Sequence, residues 1–297
     1  MEVLALTDRT SCVDLYLDSR QLAEVAAANR ERYAAAQPFP HIVLDGILPE
    51  AMLDRALEGF PDPAAEVWQQ YETYYEEKLE SQGEDRLSSD LSLLLYQFNS
   101  APFLRFLEEL TGIEGLIGDP YFTGGGLHQI VAGGKLGVHA DFSRHYSLPL
   151  HRRLNALIYL NRDWKDEYGG HLELWDRDMR ACQERIAPIF NRMVVFTTTD
   201  WTYHGHPDPL NTPPGVTRKS IALYYFTVDR PKGETIPGKK TTLFRARPGE
   251  QVPDDPEIRR ASGVPSGKAR SVETLRRLTP PILWDAVAEA RRKRAHG

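Results

Sequence analysis

Six short runs of β-forming residues follow one another between residues 127 and 228, separated by glycine, proline, asparagine and aspartate. They read LHQIVA, LGVHAD, RLNALIYLN, GHLELWD, RMVVFTTT and RKSIALYYFTV. Strands this short can bury their apolar faces only by pairing into a sheet that folds onto itself or closes. A chain of 297 residues is long enough to form one sizeable core of this kind. The pattern therefore predicts a β-sandwich or β-barrel core.

Helical periodicity dominates the part of the chain before these strands. Residues 19–36, 49–61 and 91–113 have helical spacing, whereas residues 41–48 read as a short strand. We therefore expect an α+β protein with three regions. Residues 1–114 form an N-terminal lead-in, residues 115–230 form the core, and residues 231–297 form a basic C-terminal extension with a terminal helix at residues 280–294.

The segment of residues 66–90 is acidic and aromatic and has no clear apolar face. This composition indicates a mobile insert, which could close as a lid over a site in the core. An amphipathic surface helix is the alternative interpretation.

Composition limits the possible partners and the compartment. The formal net charge of −6 argues against nucleic acid, although residues 231–297 carry 15 Lys and Arg against 8 Asp and Glu. The chain has no long apolar run and no secretory signal pattern, so we expect a cytoplasmic protein without a membrane partner. Cys12 and Cys182 are far apart and predict no disulfide framework. The oligomeric state is not predicted.

The strand LGVHADF carries the residues that most directly suggest chemistry. His139 and Asp141 are two positions apart, so their side chains point to the same face of the strand and could bind one metal ion. A second histidine would complete the two-histidine, one-carboxylate triad of non-haem iron, which leaves open positions on the ion. The segment DWTYHGHPDPL offers His204, with His206 as the alternative.

A site for an organic co-substrate is suggested by two further side chains. Arg218 begins the strand RKSIALYYFTV, and its planar guanidinium matches a carboxylate such as the distal group of 2-oxoglutarate. Tyr159 shares a strand face with Asn155 and Leu157, and its hydroxyl could bind the same carboxylate. Four other histidines could contact substrate or be ordinary polar residues, namely His128, His145, His151 and His171.

In the order VHAD, LIYLNRDWKDEYGGHLELW, YHGHP and RKSIALYYF, residues 127–230 resemble the prolyl hydroxylase-like branch of the Fe(II)/2-oxoglutarate dioxygenases. The resemblance implies a double-stranded β-helix core of the jelly-roll or cupin type. It implies His139, Asp141 and His204 as iron ligands and catalytic residues. It also implies Arg218 and Tyr159 as co-substrate residues, with Gln129 at a further co-substrate position where relatives often carry tyrosine.

The resemblance also implies the cofactors and the reaction. These are Fe(II), 2-oxoglutarate and dioxygen, with ascorbate as a possible reductant, in a hydroxylation that releases succinate and carbon dioxide. The presence of Asp141 favours hydroxylation over halogenation. Desaturation or ring closure stays open, as does the substrate, which is a peptidyl proline, an amino acid or a small metabolite. The rival hypothesis from another class is a catalytically silent β-barrel that binds a metal or a partner.

Overall fold

The computed structural model describes residues 16–83, 85–236 and 241–262. The chain divides into two compact units, and the division falls after Glu250. Residues that we assigned to the C-terminal extension therefore belong in part to the first unit. The terminal helix expected at residues 280–294 lies outside the described residues.

The described residues contain five α-helices and one short 3₁₀-helix. The α-helices are α1 (Ser19–Ala35), α2 (Glu50–Glu58), α3 (Ser89–Phe98), α4 (Ala101–Thr111) and α5 (Pro256–Ala261), and the 3₁₀-helix is Asp166–Tyr168. Residues 91–113 thus form two helices, because Asn99 ends α3 and a proline at the beginning of α4 favours a new start. No helix in the described part of the chain is long and apolar enough to cross a membrane.

Thirteen strands form one sheet, and all described strand pairs are antiparallel. The strands are β1 (His41–Asp45), β2 (Trp68–Glu72), β3 (Glu76–Ser81), β4 (Ile117–Gly118), β5 (Gly126–Ile130), β6 (Lys135–Ala140), β7 (His151–Tyr159), β8 (Leu172–Trp175), β9 (Cys182–Ile186), β10 (Arg192–Thr197), β11 (Tyr203–His206), β12 (Arg218–Thr227) and β13 (Leu243–Phe244). Ten of them follow the order β1-β10-β7-β12-β5-β3-β6-β11-β8-β9, whereas β2 pairs with β3, β4 with β12 and β13 with β6. The sheet forms a nearly closed barrel. The α+β prediction is confirmed.

Strand β7 shows that one face of the sheet packs against the helices and the other lines a cavity. Leu154, Ala156 and Ile158 point to one face and join the large apolar cluster built with the N-terminal helices. Asn155 and Leu157 point to the other face and line a cavity. Because side chains alternate along a strand, the helices stabilise one face while the opposite face carries the site.

The segment of residues 66–90 contains a β-hairpin rather than a surface helix. Its second strand, β3, pairs with both β5 and β6, so this part of the segment is built into the sheet. The carboxylate of Glu80 and the ammonium of Lys78 lie 3.0 Å apart on the face that lines the cavity. Closure of the hairpin over a bound substrate stays a prediction.

The pairing of β6 with β11 sets the geometry of the site. His204 lies directly opposite His139 in the register of these strands. Gly205 follows His204, and a Cβ atom at this glycine would lie 2.7 Å from the carbonyl oxygen of Gly137. Only a residue without a side chain therefore allows the two strands to approach as closely as they do.

We predict that Gly205→Ala destabilises the protein by about 1 to 3 kcal/mol, because the methyl group must displace the backbone of β6. It should also weaken divalent-metal binding, since β11 carries His204. Thermal unfolding and metal titration would measure both effects. An unchanged melting temperature with unchanged metal affinity would show that the strands do not need this glycine.

Candidate active site

A cavity of about 610 Å³ opens inside the barrel. This volume lies within the range typical of sites for small molecules. His139, Asp141, His204 and Arg218 all line it. His139 lies on β6 and Asp141 directly follows this strand, whereas His204 lies on β11 and Arg218 begins β12. The structure thus brings together residues that are up to 79 positions apart in the sequence.

His139, Asp141 and His204 form one compact group. Their potential ligand atoms all lie within 4.8 Å of one another, and all three residues are buried. The Nε2 atom of His139 lies 3.5 Å from Oδ1 of Asp141, and the Nε2 atom of His204 lies 3.5 Å from Oδ2. Of the residues that the structure describes, no others form a comparable group that could hold a metal ion.

Backbone carbonyls orient both imidazole rings. The Nδ1 atom of His139 lies 2.9 Å from the carbonyl oxygen of Gly137, and Nδ1 of His204 lies 3.2 Å from that of Thr202. A carbonyl oxygen can only accept a hydrogen bond, so in each neutral ring Nδ1 carries the proton. Each Nε2 atom then presents a lone pair to the centre of the group, as in histidines that bind metals.

The centre of this group suits a cation. Burial lowers the pKa of His204 to about 4 despite the opposing effect of Asp141, so its ring is neutral at pH 7. The Nε2 lone pair of this neutral ring consequently faces the ionised carboxylate of Asp141 across 3.5 Å. A divalent ion would remove this repulsion, and two histidines with one carboxylate are the ligand set of non-haem iron.

Asp141 is held by two residues that the sequence did not single out for this role. Its Oδ2 atom accepts a hydrogen bond from Nδ2 of Asn155 at 2.8 Å and lies 3.1 Å from Nη2 of Arg152. Burial alone would raise the pKa of Asp141, but Arg152, His204 and His139 together hold it well below its usual range. The carboxylate is therefore ionised and fixed in position.

Aromatic rings enclose the guanidinium of Arg152. It lies 3.4 Å from the ring centre of Tyr224 and 4.4 Å from that of Phe142, and its Nε donates to Oδ1 of Asn155. Contacts of this kind with aromatic faces favour a buried cation. Arg152 is thereby kept beside Asp141 rather than free in the cavity.

Arg218 occupies a different part of the cavity wall. Its Nε donates to the carbonyl oxygen of Gly170 at 2.8 Å, and its Nη2 lies 3.4 Å from the hydroxyl of Tyr159. A side chain at Gly170 would collide with Arg218, because its Cβ would lie 2.9 Å from Cδ of the arginine. Within the described residues, no carboxylate lies within 4.0 Å of this buried guanidinium.

Tyr159 and Gln129 do not line the cavity. Tyr159 is fully buried, and burial raises the pKa of its hydroxyl, which therefore stays protonated beside Arg218. Gln129 faces the opposite side of β5, where its Nε2 donates to Thr217, whereas its neighbours His128 and Ile130 line the cavity. The co-substrate role expected for Gln129 stays a prediction, and in this structure its side chain faces away from the cavity.

The remaining histidines have different surroundings. His206 and His128 line the cavity, whereas His145, His151 and His171 do not. His145 is fully engaged in the structure, because its Nδ1 accepts from the backbone of Ser147 and Leu148 and its Nε2 lies 3.3 Å from Asp119. His145 therefore connects two loops rather than contacting a ligand.

We predict that Arg152→Met lowers stability by roughly 3 to 5 kcal/mol, because it leaves Asp141 buried without its cationic partner. It should also weaken divalent-metal binding, since the carboxylate loses one of the groups that orient it. The matched control is Arg153→Met, which removes the neighbouring arginine, whose ion pair is with Glu234. Equal metal affinity in Arg152→Met and in Arg153→Met would contradict the positioning role.

One family of known proteins is similar to the core of the chain. Residues 125–226 match the sequence model of the 2OG-Fe(II) oxygenase superfamily. This range contains His139, Asp141, His204, Arg218 and Tyr159. None of the curated proteins matches the chain.

Solved structures show the same fold at low sequence identity. A prolyl-4-hydroxylase from Pseudomonas putida is 15% identical with a TM-score of 0.50, and the match covers 68% of this chain and 98% of that one. A prolyl hydroxylase from Trichoplax adhaerens, in complex with a hypoxia inducible factor peptide fragment, is 16% identical with a TM-score of 0.51, covering 74% and 94%. The predicted jelly-roll core is therefore confirmed. The chain has the fold of the prolyl hydroxylases, and residues 125–226 match the 2OG-Fe(II) oxygenase superfamily.

Proposed function

We propose that this protein is an Fe(II)- and 2-oxoglutarate-dependent oxygenase that hydroxylates an unactivated C–H bond of a polar substrate. One observation carries the proposal. The cavity contains both a buried His-Asp-His group and a buried guanidinium without a carboxylate partner among the described residues. The first could hold iron, and the second requires an anion to offset its burial.

His139, Asp141 and His204 would hold Fe(II) in this proposal. When bound, iron, 2-oxoglutarate and dioxygen would together supply the oxidising chemistry. The keto acid would be converted to succinate and carbon dioxide. The protein groups keep the imidazoles in the required tautomer and keep Asp141 ionised. Asn155 and Arg152 engage Oδ2 of Asp141 and so fix the orientation of the carboxylate.

Arg218 would bind the distal carboxylate of 2-oxoglutarate. Its Nε is already used by Gly170, so the outer nitrogens of the fork remain for a ligand. Tyr159 does not line the cavity, but its hydroxyl accepts a hydrogen bond from Nη2 of Arg218 and so helps to fix the guanidinium. A catalytically silent barrel would have no need for this buried cation, which argues against the rival hypothesis.

The outer wall of the cavity indicates a polar substrate. Glu76, Lys78 and Glu80 alternate along β3 and face the cavity, with side chains 18%, 12% and 10% exposed. The ammonium of Lys78 lies 3.5 Å from Glu76 and 3.0 Å from Glu80. An apolar substrate would exclude water from these charged groups without offering hydrogen bonds in its place, and this desolvation costs free energy. An amino acid, a peptide or a polar metabolite fits this wall better.

The direct test of the reaction is succinate formation from 2-oxoglutarate with added Fe(II) and ascorbate under air. We expect slow release from the protein alone and faster release when a polar compound from a screen is a substrate. A protein that binds Fe(II) but never releases succinate would support the silent barrel.

We predict that His139→Ala, Asp141→Ala and His204→Ala each abolish this turnover and strongly weaken metal binding, because each removes one of three ligands. The control is His151→Ala, which changes a histidine of β7 that does not line the cavity. Circular dichroism would verify that the folds are retained. If His204→Ala kept its metal and its activity, the choice of the third ligand would be wrong.

We predict that Arg218→Ala weakens 2-oxoglutarate binding by roughly 2 to 5 kcal/mol, because the carboxylate loses a buried charged partner. Arg218→Lys should recover only part of this, since a single ammonium replaces a planar fork. Calorimetric titration of the Mn(II)-loaded protein would measure the affinity. Arg162→Ala is the control, because Arg162 pairs with Asp54 at the surface. An unchanged affinity in Arg218→Ala would refute this role.

A further inference from the structure

His206 is a cavity residue to which the proposed reaction has so far given no role. It lies two positions after His204 on β11, so both side chains point to the same face of the strand. It lines the cavity and is only 4% exposed. The sequence offered it as an alternative metal ligand, but the compact His-Asp-His group does not include it.

The ring of His206 has unused hydrogen-bonding capacity. Its Nδ1 atom is fully buried and has no hydrogen-bond partner among the described residues. His139 and His204 differ in this respect, because a carbonyl oxygen accepts from Nδ1 of each ring. A buried polar atom without a partner costs free energy, so an unpaired nitrogen on a ring that lines the cavity is a candidate donor for a bound ligand.

His206 shares the cavity with a cation that has no acidic partner. Both His206 and Arg218 line it, and among the described residues no carboxylate lies within 4.0 Å of the Arg218 guanidinium. An imidazole N–H can donate to a carboxylate that a guanidinium also binds.

We propose that His206 binds the co-substrate by donating a hydrogen bond to the carboxylate of 2-oxoglutarate that pairs with Arg218. This inference rests on the proposed function, because it requires 2-oxoglutarate in the cavity. Strand β11 would then serve both halves of the site, with His204 toward the metal and His206 toward the co-substrate.

The test compares His206→Phe, which keeps a planar ring but removes the N–H, with His206→Gln, which keeps a donor. Calorimetry would give the affinity of each protein for Mn(II) and then the affinity of the Mn(II)-loaded protein for 2-oxoglutarate. We expect His206→Phe to weaken 2-oxoglutarate binding roughly 10- to 100-fold, the effect of one hydrogen bond to a charged group, without changing Mn(II) affinity. His206→Gln should recover part of the loss, and His151→Phe should match the wild type.

A double variant adds a second criterion. If His206 and Arg218 bind the same carboxylate, the loss in the double variant His206→Phe/Arg218→Ala should be smaller than the sum of the two single losses. Additive losses would place His206 on another part of the ligand and overturn the proposal.

The outcomes separate this inference from the proposed function. If the wild-type Mn(II) protein binds no 2-oxoglutarate, the proposed function itself fails. If the wild type binds it and both His206 variants bind it equally well, only the role of His206 fails. Loss of Mn(II) from His206→Phe and His206→Gln, with melting temperatures unchanged, would instead make His206 a metal ligand and would also overturn the proposal.

Discussion

The antiparallel contact between β6 and β11 is the constraint on which the rest of the site depends. It places His204 opposite His139, and Gly205 permits the close approach of the strands. The two rings have centroids 4.4 Å apart, and Asp141 follows at the end of β6. Both Nδ1 atoms lie beside carbonyl oxygens, so each ring turns its Nε2 atom toward Asp141. The arrangement of this candidate metal site therefore arises from strand register.

The two buried arginines that line the cavity, Arg152 and Arg218, have different partners. Arg152 lies beside Asp141 and keeps it ionised, whereas Arg218 has no acidic neighbour among the described residues and can attract an anion. The charged face of β3 forms another part of the wall. In the proposed oxygenase function, a metal, a keto acid and a polar substrate would each bind to a complementary region of one cavity.

The sequence predicted those features that depend on local periodicity. The alternation along β6 places His139 and Asp141 together, and the alternation along β7 separates Asn155 from the apolar residues beside it. It could not predict features that depend on long-range pairing. The short strand β11 lies in a segment rich in polar residues, which does not show a strand pattern. The position of β3 between β5 and β6 is likewise not indicated by any local sequence pattern. The direction of the Gln129 side chain was likewise not predictable, because the phase of β5 is set by its partners.

A crystal structure of the protein prepared anaerobically with Fe(II) and 2-oxoglutarate would test the central claim most directly. We expect one metal ion bound to Nε2 of His139, to an oxygen of Asp141 and to Nε2 of His204. The distal carboxylate of 2-oxoglutarate should contact the guanidinium of Arg218. A metal bound through His206 in place of His204, or a keto acid bound away from Arg218, would contradict the site proposed for this fold.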